Sequence, residues 1–168
     1  GVSDEADALL SDCLGEEVQL VYMPEASLRT LKEGRGQPGD IVSFADGYPL
    51  LVASVSSLED LNRRIAAAGR DPVPMNRFRA NVVIEGMAPF AEDRMGPITI
   101  GDVAFRAASP CVRCQVTTTD QTTGELRGPE PLATLSTFRR TPEGPMFGTN
   151  CIPDASGTIR VGDAVLWA

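Results

Sequence analysis

Two cysteines stand three positions apart in Ser109-Pro110-Cys111-Val112-Arg113-Cys114-Gln115-Val116-Thr117-Thr118-Thr119. The thiolate is the nucleophilic and metal-binding form of cysteine, and a neighbouring cation favours it. Arg113, immediately before the second thiol, is such a cation. Three chemistries fit the pair. A redox dithiol of the thioredoxin type opens a helix inside a βαβ unit, whereas the β-branched run after Cys114 favours a strand. A zinc site needs four ligands, so Cys13 and Cys151 would have to join. A single thiolate can also bind a soft transition metal whose other positions are filled by an organic cofactor. In that case Arg77, Arg79 and Arg113 could meet an anionic cofactor tail, because guanidinium forks match phosphate geometry. A pair of buried, purely structural cysteines is the alternative to all three.

The rest of the composition narrows the chemistry. Histidine is absent from the 168 residues, so Ser-His and Cys-His nucleophile pairs and imidazole-based zinc sites cannot form within the chain. The net charge of −8 argues against nucleic acid and against an anionic membrane surface. No apolar run is long enough to span a bilayer, and no basic-plus-apolar signal segment is present. A cytoplasmic protein with reduced thiols is the default expectation. Hydrophobic content of 42% and charged content of 23% fit one globular domain over residues 1–168.

The elements that must position the thiols follow from periodicity. Ala6, Leu9, Leu10, Cys13 and Leu14 share a helical face, with Ser3 to cap it and Gly15 to end it. Cys13 is therefore expected to be buried on that face. Residues 18–23 read as a strand and 24–40 as a long loop. Pro49 to Ala53 reads as a buried strand, and Ser56 to Ala68 as a helix with Ser56 and Glu59 forming a capping box. Arg77 and Arg79, on an extended segment before the strand Val82-Val83-Ile84, would share one face. That face is either a solvated edge or an anion clamp. Ile98–Ile100 and Val103–Phe105 flank a Gly101-Asp102 hairpin turn, and a similar turn recurs at Gly162-Asp163 between 158–161 and 164–167. Residues 115–118 and 146–152 read as strands, and Pro131 to Phe138 as a short helix. These elements predict a mainly β, barrel-like domain with two or three flanking α-helices.

Several separate motifs then agree on one resemblance. FADGYPLL at 44–51, SLEDLN at 57–62, RFRANVV at 77–83, FAED at 90–93, IGDV at 100–103, CVRCQVTT at 111–118 and GTIRVGD at 157–163 occur in order. Together they resemble the MOSC domain, the C-terminal domain type of molybdenum cofactor sulfurase, in the branch that holds the amidoxime-reducing components. The resemblance implies a β-barrel core and a pyranopterin molybdenum cofactor whose metal is bound by one protein cysteine. By motif position that cysteine is Cys114, with Cys111 in a non-ligand place. It implies Arg79, Asn81 and Arg113 as contacts to pterin and phosphate. It also implies that Asp46, Tyr48 and Asn150 line the pocket. Pyridoxal phosphate binding comes with the family as a general label.

Family enzymes remove oxygen from N-hydroxylated small molecules such as amidoximes and hydroxylamines, with two electrons from a redox partner protein. Val112 stands where relatives often carry a small hydroxyl residue, so one hydrogen bond to the cofactor is expected to be lost. Relatives also carry an N-terminal β domain with basic contacts to the cofactor phosphate, which this sequence does not include. Two functions follow as expectations: a molybdenum-dependent reductase of N–O bonds acting with that domain and an electron donor, or a non-catalytic module that carries cofactor or sulfur, or docks to a partner.

Overall fold

The structure, a computed structural model, describes residues 1–167. Its strands are β1 (Leu50–Ser54), β2 (Val82–Ile84), β3 (Pro97–Ile100), β4 (Val103–Val112), β5 (Arg140–Thr141), β6 (Gly144–Pro153) and β7 (Val165–Trp167). They form one mixed sheet in the order β2-β1-β6-β4-β3-β7, with β5 paired to β6. Helix α1 (Asp4–Leu14) precedes the sheet, α2 (Val55–Ala67) crosses between the parallel strands β1 and β2, and α3 (Leu132–Phe138) leads into β5. The expected mainly β fold with flanking helices is what the chain adopts.

The sheet curls around its own core. Ile84 from β2, at one end of the strand order, and Val165 from β7, at the other, pack into one apolar cluster with Val52, Ile98, Phe105 and Cys151. Strands at opposite ends of an open flat sheet could not share a cluster. A second cluster fills the space beneath α2 and α3 with Leu61, Ile65, Phe78, Leu135 and Phe147. Phe147 and Cys151 lie four residues apart on β6, and regular alternation would put them on one face. Gly148, with φ of 76°, breaks that alternation. A Cβ there would come within 2.7 Å of the Val52 carbonyl oxygen, so only glycine fits. The β4–β6 register also shifts between Ala107 and Ser109 and between Pro110 and Val112. Pro110 has no N–H for the ladder, which is why pairing loosens there.

Several expectations need correction. Residues 18–23 are not a strand; among the described residues no strand pairs with them, and they turn back on α1, where Leu20 N–H donates to Asp7 Oδ1 at 2.7 Å. No residue of α1 is buried, and Cys13 is exposed rather than packed. The cap of α2 is Ser54, whose hydroxyl accepts from Ser57 N–H at 3.1 Å, whereas Ser56 donates to the Met87 carbonyl at 2.6 Å. Residues 75–78 form a 3-10 turn instead of an extended run, which undoes the shared face of Arg77 and Arg79. Residues 115–118 also form a 3-10 turn. There Thr117 and Thr118 donate their hydroxyls to the carbonyls of Cys114 and Gln115, and these local bonds outcompete a β ladder. Residues 158–161 are irregular, so the second hairpin is absent and β7 pairs with β3 instead.

Candidate functional site

Pro110 and the loosened register bring β4 to its end at Val112, and the chain enters the 3-10 turn Gln115–Thr118 through Cys114. Cys114 occupies the N-cap position of that turn, and its thiol is free and exposed. Cys111 is half-buried, and the two thiols are not bonded to each other. Cys151 is buried in β6, where burial pushes its thiol up to about 12. It is an inert core residue. Cys13 lies on exposed α1, so the four-cysteine zinc arrangement does not form. Among the described residues, no group of three or more Cys, Asp or Glu side chains could hold a metal.

Arg113 departs from its expected part. Its Nη1 donates to Cys111 Sγ at 2.9 Å, not to Cys114. The reason is strand geometry: residues two apart on an extended segment, as Cys111 and Arg113 are, project to one side, and adjacent residues, as Arg113 and Cys114 are, to opposite sides. Arg113 Nη2 donates to the Phe78 carbonyl at 2.7 Å, and its Nε is buried without a partner. The guanidinium therefore ties the thiol segment to the 75–78 turn. Arg77 adds a second tie, a long 3.4 Å bond from Nη1 to the Thr117 carbonyl. Phe78 anchors this corner, stacked on Phe147 with ring centroids 3.9 Å apart. Burying a phenylalanine fully contributes about 1.5–3 kcal/mol, so the corner is held by the core and not by the site.

Arg79 follows directly. It is exposed, sits in the left-handed region at φ 55°, and takes part in no ion pair among the described residues. A bulky residue held there costs on the order of 1 kcal/mol, and the exposed side chain follows Phe78, whose carbonyl Arg113 holds. Asn81 exchanges two bonds with β1: its Oδ1 accepts from Leu51 N–H at 2.8 Å and its N–H donates to the Leu51 carbonyl at 2.9 Å. Only its Nδ2 stays available. Leu51 pairs with Asn150, which pairs with Ser109. Asn150 Nδ2 donates to Ser109 Oγ at 3.3 Å. Asn81, Leu51, Asn150 and Ser109 thus form a row across the strands, ending two residues before Cys111.

Hydrogen bonds link Cys111 to Arg113 and Arg113 to the carbonyl of Phe78, the chain neighbour of Arg79, while Asn81 joins Asn150 through Leu51 and Asn150 reaches Ser109. Among the described residues no bond ties the Cys114 thiol or the Arg79 side chain into this set. Asp46 and Tyr48 lie in the turn before β1; Asp46 is exposed, and Tyr48 lies under the Arg35 guanidinium at 5.8 Å. No hydrogen bond joins either to the thiol segment among the described residues. Sequence reasoning missed Ser109 and the Phe78 carbonyl. Backbone acceptors leave no mark on residue type, and Ser109 becomes visible only once Asn150 is its cross-strand neighbour.

The donor set suits a metal that brings most of its own ligands. One exposed soft sulfur is on offer, and the exposed Arg79 and the Asn81 amide belong to the segment that Arg113 ties to the thiol motif. A match to the MOSC domain family spans residues 39–166, and the chain belongs to that family. It is 36% identical over 137 residues to human mitochondrial amidoxime-reducing component 1, covering 77% of this chain and 40% of the relative. The mouse counterpart is 40% identical over 134 residues, covering 75% and 38%. Rice molybdenum cofactor sulfurase is 32% identical over 157 residues, covering 86% of this chain and 19% of the relative. The chain thus spans about two fifths of the length of the amidoxime-reducing components it matches. The crystal structure of YiiM from Geobacillus stearothermophilus aligns with a TM-score of 0.49 at 18% identity, over 72% of this chain and 54% of that one.

Proposed function

We propose that this MOSC domain holds a pyranopterin molybdenum cofactor through Cys114, as part of an oxidoreductase that reduces N-hydroxylated small molecules. The observation that carries the proposal is the Cys114 thiol, exposed at the start of a turn whose position is fixed by Arg77 and Arg113. The names of the relatives, amidoxime-reducing component and molybdenum cofactor sulfurase, support the cofactor and the substrate class. When bound, the cofactor supplies two-electron removal of oxygen from an N–O bond, with electrons from a redox partner protein. Cys114 supplies the protein ligand, because a soft thiolate suits such a metal. Arg79 offers its unpaired fork to the anionic tail, and Asn81 Nδ2 and Asn150 offer donors to the pterin edge. Arg113 acts as a positioning residue: its bond to the Phe78 carbonyl keeps the thiol segment against the corner that presents Arg79. An upstream β domain, as in the longer relatives, would complete the cofactor phosphate site.

The match to the sulfurase favours a second function, a module that carries cofactor or sulfur without turnover. Pyridoxal phosphate held as a Schiff base would have to use Lys32, the sole lysine of the sequence, which lies in the loop before β1.

Molybdenum content after expression in a cofactor-producing host decides the matter. Cys114→Ala should lose the metal and Cys111→Ala should keep it. The reverse result, or no molybdenum in the domain with or without an upstream β domain, would sink the ligand assignment. Turnover of benzamidoxime with an artificial electron donor separates the reductase from the carrier.

A further inference from the structure

A hollow lies on the side of the Cys114 turn where Arg77 meets Thr117. It measures about 620 Å³ and opens between the 69–73 loop after α2 and the 120–130 loop before α3. Arg70, Arg77, Arg127, Asp120 and Glu130 line it, and Asp71 stands exposed at its rim. The charges look balanced until each partner is followed. Glu130 is buried and already satisfied: it pairs with Arg70 and accepts from Thr134 N–H at 3.1 Å and Thr134 Oγ1 at 2.8 Å. Asp120 Oδ1 accepts from the backbone N–H groups of Thr122 and Thr123 at 2.9 and 3.1 Å. Its other oxygen reaches only to 3.8 Å from Arg127 Nε and 4.0 Å from Arg77 Nη2, beyond hydrogen-bond distance.

Arg77 is left under-compensated. Its side chain is 7% exposed, and among the described residues its one side-chain hydrogen bond is the 3.4 Å contact to Thr117 and its Nε has no partner. A guanidinium carries five N–H donors, and a buried charge is costly unless paired and hydrogen-bonded. The hollow is the space from which a counter-charge can come. Arg127, half-exposed across the opening, pairs at 3.1 Å with the exposed Glu125, a solvent-screened partner, and brings a second guanidinium to the opening.

We infer that this hollow is an oxyanion-binding site in which Arg77 is the buried recognition group and Arg127 the outer one, taking a phosphate group or a carboxylate. Both anions present two oxygens to a guanidinium fork. Asp71 opposes the anion, but at the exposed rim its field is screened. Asp120 opposes it too, and an anion bonded directly to the two guanidinium groups replaces that carboxylate's looser approach at 3.8 and 4.0 Å. The site is separate from Cys114, and its occupancy does not depend on molybdenum.

The test is calorimetric titration of the 168-residue chain with inorganic phosphate, and separately with acetate, at constant ionic strength. Saturable binding of either supports the site, and the tighter probe identifies the oxyanion. Arg77→Gln should weaken it by about tenfold or more, while Cys114→Ala and Arg79→Gln should leave it unchanged. No saturable binding of either probe overturns the inference, as does loss of binding in Arg79→Gln with retention in Arg77→Gln. Because Arg77 is buried and its variant could fail to fold, backbone amide shifts of the unaltered chain are followed in the same titration. Shifts centred on Thr117, Asp120 and Arg127 support the site, and shifts confined to 79–81 and 111–114 overturn it.

Discussion

Cys111 and Cys114 share a motif, but their surroundings divide them. The first is half-buried under a guanidinium, and the second is an open N-cap. Their types and spacing were readable from the sequence, as was the presence of Arg113 between them. Which sulfur Arg113 touches was not, because that depends on where β4 stops. Glu92 makes the same point at a residue that composition alone marks as surface. It has no exposed area, its Oε2 accepts from Ser57 Oγ at 2.8 Å, and its Oε1 has no partner. Burial raises its carboxyl above the usual value of 4.5, against the opposing pull of the Ser57 bond and of Arg139. As pH rises past 4.5, the unfolded chain releases a proton that the folded chain keeps. Glu92 is thus least costly to the fold below that pH, and its cost grows as pH climbs towards the raised folded value. Glu92→Gln should therefore gain in Tm over the unaltered protein between pH 4.5 and 7 and differ least at pH 4. A Tm difference that is the same at every pH would count against this account.

Elements with strong local patterns were legible. The expected hairpin at Gly101-Asp102 is the β3–β4 turn, the helix after β1 runs over Val55–Ala67, and the short helix before Phe138 is α3. The residues that failed were those whose side chains bond to nearby backbone, Thr117 and Thr118 above all. The α2 cap is a sharper case. Ser56 and Glu59 have the capping-box spacing, but β1 runs on to Ser54, and the helix begins two residues earlier than the motif suggests. Ser54→Ala should cost about 1 kcal/mol, more than its size implies, since its hydroxyl also meets those of Ser56 and Ser57. Urea unfolding of Ser54→Ala and of Glu59→Ala distinguishes the two caps. A larger loss in Glu59→Ala would restore the box.

Across the whole molecule, the first residues stand apart from the sheet. Helix α1 buries nothing, and the bonds of residues 2–20 close on themselves, from Val2 to Leu20 and from Ser11 to Val18. Residues 27–49 are different, since Asp40 is held by Arg106 of β4, whose guanidinium keeps the Asp40 carboxyl below its usual range. A chain starting at Pro24 should keep its Tm within about 3 °C of the full chain, a change of roughly 1 kcal/mol at this size. A larger drop would show that the N-terminal segment supports the core. Among the described residues no helix is long and apolar enough to cross a membrane.

Family and fold class came from the sequence by itself, because motif order and hydrophobic period are local properties that survive unfolding. Pairing was decided only in three dimensions. Arg113 reaches the Phe78 carbonyl, Asn150 finds Ser109, and Arg77 lies buried beside an opening, each across tens of residues of chain. Such contacts arise when a curled sheet brings distant strand ends to one rim, and nothing in the residues taken singly encodes which ends will meet.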